Sequence, residues 1–106
     1  MNFLQGTLDV LLLTALSDTP LHGYDVVDWI RSTTGGTLDI DDGALYMALH
    51  RMERRAWLVA EWRTSPKGRR AKYYRLTAEG RKQLKAGEKD WTKFAAAVAK
   101  VFAARS

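Results

Sequence analysis

Residues 43–76 read GALYMALHRMERRAWLVAEWRTSPKGRRAKYYRL, and this run contains one helical pattern followed by two strand patterns. Over residues 43–55, apolar side chains recur at steps of three and four residues, which predicts an amphipathic helix. Its inward side carries Leu45, Ala48, Leu49 and Met52, and its outward side carries Met47, His50, Arg51 and Arg54, with Tyr46 between the two. The helix therefore has an apolar face for a core and a polar, cationic face for a partner.

The rest of the run predicts a β-hairpin. Residues 57–63 and 71–76 are rich in aromatic and β-branched residues, and residues 64–70 (TSPKGRR) form the turn between them. The ten residues from 63 to 72 include no acid and five cations: Arg63, Lys67, Arg69, Arg70 and Lys72. A basic loop alone is as consistent with a solvated surface loop as with a contact to nucleic acid. Directly after a helix with a cationic outer face, it favours contact with a nucleic acid.

The sequence on either side of this run predicts three more helices. Residues 5–16 are apolar nearly all round, which indicates a helix buried on most sides. Residues 22–32 predict a second helix with Tyr24, Val27 and Ile30 on its apolar face, and residues 37–40 predict a very short strand. Asp41 or Asp42 is placed to cap the helix over residues 43–55. Thr77 is placed to cap a last helix over residues 78–104.

Charge is sorted along the chain more strongly than the net charge of +5 suggests. Residues 1–42 contain seven acids and one base, whereas residues 43–85 contain twelve bases and three acids. Polyanions respond to such local fields, so the basic part indicates a polyanionic partner.

Several other classes of protein are disfavoured by the composition. The chain has no cysteine and two histidines, so we expect neither a disulfide nor a metal site. The sequence has no glycine-rich phosphate loop and no recognisable serine–histidine–acid set, so we expect neither an enzyme nor a cofactor. The acids at 39, 41 and 42 lack the spacing of a calcium loop and are explained by helix capping. We find no secretory signal or membrane span and expect a cytoplasmic protein.

The order helix, helix, helix, hairpin, helix predicts a mainly α fold with a small β-hairpin: a winged helix-turn-helix plus a C-terminal dimerisation helix. We assign residues 1–77 to the DNA-binding domain and residues 78–106 to the dimerisation helix. His50 could hydrogen-bond a base edge or a phosphate, but a solvated helix histidine is the simpler interpretation. Tyr46 could donate its hydroxyl to a phosphate, and packing at the core edge is the competing interpretation. His22 is interpreted as a local cap or packing residue.

The last helix carries a heptad-like apolar seam, in which steps of three and four residues alternate. Its members are Leu84, Gly87, Trp91, Phe94, Val98 and Val101. The seam could fold back on its own core or join two subunits. Dimerisation is favoured because a helix of about 25 residues spans about 37 Å, longer than a domain this small can cover. Gly87 weakens the seam.

Several motifs together resemble the PadR family of bacterial transcriptional regulators over about residues 4–102. They are GTLD (6–9), LHGY (21–24), GALYMALHRME (43–53) and GRRAKYYRLT (68–77), with Gly80 following. The resemblance implies a homodimer built through the first and last helices, for which we select Leu8 and Leu12 on the first helix. It also implies a repressor of a palindromic operator in double-stranded DNA, usually relieved by a small-molecule effector.

The resemblance assigns DNA contacts to the third helix and the hairpin. The residues are Ala44, Tyr46, Met47, His50, Arg51, Lys67, Gly68, Arg69 and Arg70, to which the charge pattern adds Arg54 and Lys72. The chain departs from the family pattern at Ala44, Met47 and Ala56. Because Ala56 stands where a left-handed glycine is usual, backbone strain is expected there. Trp91 is a candidate for stacking a flat aromatic effector, and an interface core residue is the simpler interpretation.

An alternative function is a winged-helix module that binds protein or RNA and recognises no operator. The cations between Arg63 and Lys72 argue against a role in binding protein alone.

Overall fold

The computed structural model describes the backbone of residues 3–106 and the side chains of residues 6–106. Its elements in chain order are α1 (Phe3–Ala15), β1 (Leu21–His22), α2 (Gly23–Thr33), α3 (Asp42–Arg54), β2 (Leu58–Thr64), β3 (Arg70–Leu76) and α4 (Ala78–Arg105). The mainly α fold with a small hairpin is therefore confirmed. β2 and β3 form the hairpin, which is the wing, and β1 adds to the free edge of β3 to give the antiparallel order β1-β3-β2.

The short strand predicted over residues 37–40 is wrong, because the third strand of the sheet lies at Leu21–His22. Leu21 pairs with Tyr74 across the edge of β3. The residues after α2 instead form local bonds, and the backbone N–H of Leu38 donates to Thr34 Oγ1 at 3.0 Å. A four-residue alternation is too short to distinguish a strand from such a loop.

The predicted apolar face of α2 is also partly wrong. Val26, Val27 and Ile30 are buried, whereas Tyr24 is 65% exposed. Each three-residue step falls short of a full helical turn by about 60°, so a residue six positions from Ile30 lies about 120° away from it. The core face therefore passes through Val26 rather than Tyr24.

One core joins α1, α2 and α3 to the base of the wing. Its largest fully buried side chains include Leu12, Leu13, Leu16, Val26, Leu45, Leu49, Met52 and Leu58. The inward face predicted for α3 is confirmed, since Leu45, Ala48, Leu49 and Met52 are all buried. This packing fixes which side of α3 faces outward.

The helix caps lie at residues that the sequence predicted for this role. The backbone N–H of Ala44 donates to Asp41 Oδ1 at 3.1 Å, and that of Gly80 donates to Thr77 Oγ1 at 3.0 Å. His22 caps α2, because its Nδ1 accepts from the backbone N–H of Asp25 at 3.4 Å. These three caps fix the starts of α2, α3 and α4.

Ala56 adopts the left-handed conformation expected for it, with φ of 61°. The backbone N–H groups of Ala56 and Trp57 donate to the carbonyls of Glu53 and Met52, both at 3.0 Å. This pair of bonds is a Schellman motif, which ends α3 and turns the chain into the wing.

Candidate nucleic-acid interface

The outward face of α3 is open to solvent over most of its predicted contact residues. Met47 is 75% exposed and Tyr46 is 42% exposed, and His50 and Arg54 are also exposed. Ala44 is half-buried on the first turn. These residues place a thioether, a phenol, an imidazole and a guanidinium along one side of a single helix.

Arg51 does not belong to this face, which corrects its place on the outward side of the helix. Its guanidinium forms an ion pair with Asp9 of α1, and its side chain is only 19% exposed. Arg51 Nε is buried and has no hydrogen-bond partner among the described residues. A buried carboxylate requires a charged or hydrogen-bonding partner, and the long side chain of Arg51 can reach Asp9 from the edge of α3.

The ion pair does not fully offset the cost of burying Asp9. Burial raises the pKa of the Asp9 carboxyl above its ordinary value, while Arg51 acts in the opposite direction. α1 and α3 are thus joined by a pair that can be broken only by leaving a buried charge uncompensated.

The wing ends in a tight, locally bonded turn. The backbone N–H of Ser65 donates to the carbonyl of Arg69 at 2.6 Å, and the N–H of Gly68 donates to the carbonyl of Ser65 at 2.9 Å. Gly68 has φ of 80°, a conformation that favours glycine. Lys67, Arg69 and Arg70 are exposed around this turn, and no carboxylate pairs with them among the described residues.

Two other cations of the wing, Arg63 and Lys72, are paired with acids. Arg63 forms an ion pair with Glu61, and Lys72 Nζ lies 3.1 Å from Glu53 Oε1 of α3. The hydrogen bond to Glu53 is the main cause that raises the pKa of Lys72. Lys72 was expected to face DNA, but the structure gives it a contact that attaches the wing to α3.

A broad concavity lies between the start of α2, the outer side of α3 and the wing. Tyr24, Tyr46, His50, Trp62, Lys67 and Arg70 are among the residues that line it. The sequence analysis missed Tyr24 and Trp62, which are 65% and 59% exposed. Trp62 could have been found from strand alternation, which puts it on the same side of the hairpin as Arg70.

The residues selected for dimerisation differ in how much of their surface is exposed. Leu12 is 0% exposed and belongs to the core, so it offers no surface to a second subunit, which corrects its selection. Leu8 and Leu84 are half-buried against the same core. Trp91, Phe94 and Val101 are exposed along α4, Val98 is half-buried, and Phe102, which the seam omitted, is 71% exposed.

Gly87 has a packing role that the seam alone did not reveal. A Cβ atom at this position would lie 2.5 Å from Val10 Cγ2 of α1. Glycine is therefore what lets α1 and α4 approach closely at this point. Beside this contact lies an open-sided cavity of about 190 Å³, lined by Asp9, Val10, Trp57, Gly87, Trp91 and Phe94, among others.

Residues 6–106 contain no group of three or more histidine or acidic side chains arranged to hold a metal ion. None of the helices within residues 3–106 combines the length and apolar character needed to cross a membrane.

The chain is similar to known regulators over most of its length. The model of the transcriptional regulator PadR-like family matches residues 12–86. A transcriptional regulator from Clostridium thermocellum is 27% identical with a TM-score of 0.84, covering 94% of this chain and 97% of that chain. A PadR family transcription regulator from Clostridium difficile is 29% identical with a TM-score of 0.73, covering 89% and 95%. A PadR family regulator from Eggerthella lenta is 31% identical with a TM-score of 0.78, covering 94% and 86%.

Proposed function

Because this chain belongs to the PadR-like family of DNA-binding transcriptional regulators, we propose that it acts as a homodimeric repressor of a palindromic operator. We further propose that a small aromatic effector relieves the repression. The proposal includes no catalytic activity, and it places the action of the protein in the cytoplasm. The division into a DNA-binding unit (1–77) and a dimerisation helix (78–106) is part of the same proposal.

One observation carries the DNA-binding part of the proposal. The exposed outer face of α3 borders the same concavity as Lys67, Arg69 and Arg70, wing cations that no acid pairs with in the described part of the chain. An α-helix fits the major groove of B-DNA, and side chains on its outer face then reach base edges. The wing cations would neutralise phosphates beside that groove. In this arrangement Tyr46, Met47 and His50 read bases, while Ala44 allows close approach and Arg54 contacts the backbone.

The dimer is supported by apolar surface on α4. Val101 and Phe102 are 65% and 71% exposed near the end of a helix of 28 residues. Such a helix extends for about 42 Å, and all of residues 99–106 are exposed. A two-fold dimer presents two copies of α3, which matches half-sites separated by about one helical turn of DNA.

The effector site is proposed at the cavity between α1 and α4. Trp57, Trp91 and Phe94 supply aromatic walls, and Asp9 supplies a carboxylate. Titration of planar aromatic compounds should quench tryptophan fluorescence and reduce DNA affinity together. Trp91→Leu should weaken the quenching, and Trp57 accounts for what remains because it also lines the cavity. If neither signal changes across a diverse set of such compounds, Trp91 serves only as an interface residue.

The central experiment is a gel-shift assay with the promoter region of the protein's own gene at two salt concentrations. Specific binding should survive competitor DNA and weaken as salt rises, because each phosphate contact releases counterions. The R69E/R70E variant should lose most of this binding. Its matched control is K82E/K89E, which reverses two exposed charges on α4.

Two outcomes would contradict the proposal. Unchanged affinity in R69E/R70E would show that the wing does not contact DNA. Stronger binding to RNA than to duplex DNA would favour the RNA-binding alternative.

A further inference from the structure

Trp62 and Arg70 form a pair on the wing that the family assignment does not explain. The Arg70 Cζ atom lies 5.4 Å from the centre of the Trp62 ring, within the range of a cation–π contact. In the hairpin register Thr64 is opposite Arg70 and Trp62 is opposite Lys72. Side chains two residues apart on a strand share a face, so Trp62 and Arg70 are diagonal neighbours on one side of the wing.

We propose that Trp62 is a positioning residue for DNA binding, which holds the Arg70 guanidinium in the orientation that contacts the duplex. This inference rests on the proposed function and adds a residue to it. Both side chains line the concavity beside α3, and Trp62 is 59% exposed there. An aromatic ring with that much exposed surface contributes little to the core.

The charge pattern of the wing explains why an aromatic partner suits Arg70. Arg63 and Lys72 each contact an aromatic ring as well, but both are also paired with a glutamate. A glutamate orients a cation at the expense of neutralising its charge. The ring of Trp62 is neutral, so it orients Arg70 and leaves the full positive charge for a phosphate.

The donor geometry of arginine supports the same conclusion. The five N–H donors lie in the plane of the guanidinium, and an aromatic ring covers its face. Contact with Trp62 therefore leaves those donors available to an anion. Ordering a long side chain costs free energy on binding, and a side chain that is already ordered avoids much of that cost.

Arg69 provides an internal control within the same turn. It is exposed, and neither a ring nor a carboxylate holds its side chain among the described residues. Removal of Trp62 should therefore weaken the contribution of Arg70 to DNA affinity and leave that of Arg69 intact.

The test is a pair of double-mutant cycles measured as affinity for a DNA duplex in low salt. Trp62→Ala should lower affinity roughly two- to fivefold in the wild-type background and have little further effect beside Arg70→Gln. In the Arg69→Gln background, Trp62→Ala should again cost about the same two- to fivefold. Trp62→Phe keeps a ring and should restore most of the affinity.

A second measurement needs no DNA. In the free protein, the ring current of Trp62 should shift the side-chain NMR signals of Arg70 upfield relative to those of Arg69, and Trp62→Ala should remove that difference. Circular dichroism should show the same fold in every variant.

The possible failures are distinguishable. If wild-type protein ignores every duplex in dilute buffer, the proposed function is wrong and this inference falls with it. If wild-type protein binds but Trp62→Ala costs the same with and without Arg70, Trp62 contacts DNA on its own and the positioning role is wrong. Unchanged affinity in Trp62→Ala would also overturn it.

Discussion

Ala56 occupies a backbone conformation in which its own Cβ atom is unfavourable. Its φ of 61° completes the Schellman motif at the end of α3, which glycine would complete without strain. The left-handed conformation costs an L-residue about 1–2 kcal/mol, which exceeds the roughly 0.4–1 kcal/mol by which glycine favours the unfolded chain. The strain is therefore confined to Ala56, and a glycine at this position would remove it.

Ala56→Gly should raise the free energy of unfolding by about 0.5–1 kcal/mol. The matched control is Ala86→Gly, the same chemical change at an exposed position inside α4, which should lower stability by about 1 kcal/mol. Urea unfolding followed by circular dichroism measures both. If Ala56→Gly is as destabilising as Ala86→Gly, the strain at Ala56 is not a cost to the fold.

Asp9 should make stability depend on pH in a defined direction. Its pKa in the folded protein is raised above 3.8 by burial, so the folded state keeps this proton to a higher pH than the unfolded chain does. Proton binding at Asp9 therefore stabilises the folded state. This stabilisation is fully present below pH 3.8 and is lost as the pH rises through the pKa that Asp9 has in the folded protein.

Asp9→Asn lacks this titration and provides the comparison. The free energy of unfolding of wild-type protein, minus that of Asp9→Asn, should decrease from about pH 3.5 towards neutrality. Urea titrations at several pH values measure the difference. A difference that increases with pH would mean that the Arg51 ion pair outweighs the burial of Asp9.

At the level of elements, the wing combines cations of two kinds. Arg63 and Lys72 are paired with acids, whereas Lys67, Arg69 and Arg70 have no acidic partner in the described residues. A cation that already has a carboxylate partner must exchange it for a phosphate, so it adds less to DNA affinity. We therefore propose that the wing tip provides the main electrostatic contact with DNA, while Lys72 attaches the wing to α3 through Glu53.

Arg69→Gln should reduce the dependence of log affinity on log salt by about 0.9, the amount expected for one lost phosphate contact. Lys89→Gln removes the same charge from an exposed position on α4 and should leave the slope unchanged. Fluorescence anisotropy with a labelled duplex at four salt concentrations measures the slopes. Equal slopes for wild type and Arg69→Gln would exclude a direct contact.

Over the whole molecule, the outstanding feature is the length of α4. The molecule measures 55 × 29 × 23 Å, and the last eight residues of the chain are exposed. The core of residues 12–76 is too small to cover a helix of about 42 Å. We therefore propose that a second copy of the chain covers the apolar side chains near its end.

V98E/V101E should convert the protein to a monomer at micromolar concentration and lower operator affinity by at least about tenfold, because one subunit contacts one half-site. The control is A96E/A103E, which adds the same two charges to the opposite side of the helix. Analytical ultracentrifugation and anisotropy measure the two effects. Dimers of undiminished stability in V98E/V101E would place the interface elsewhere.

Most features that depend on neighbouring residues could be predicted from the amino-acid sequence. The inward face of α3, the caps at Asp41 or Asp42 and at Thr77, and the hairpin follow from periodicity and side-chain hydrogen bonding within a few positions. The left-handed conformation of Ala56 was expected from the resemblance to the family. These interactions act locally, so a single chain displays them without knowledge of its fold. The family motifs are likewise strings of adjacent residues, and the family they indicated is confirmed.

Features that depend on residues distant in the chain became visible in the folded molecule alone. Arg51 is separated from Asp9 by 42 positions, and nothing near Arg51 shows that it turns inward. The strand at Leu21–His22 exists because β3 offers a free edge. Leu12 offers no surface to a second subunit because it is buried in the core. The partners of Lys72 and Arg70 also come from other elements or strands. Burial and ion pairing are properties of packed surfaces, which form only when distant segments meet.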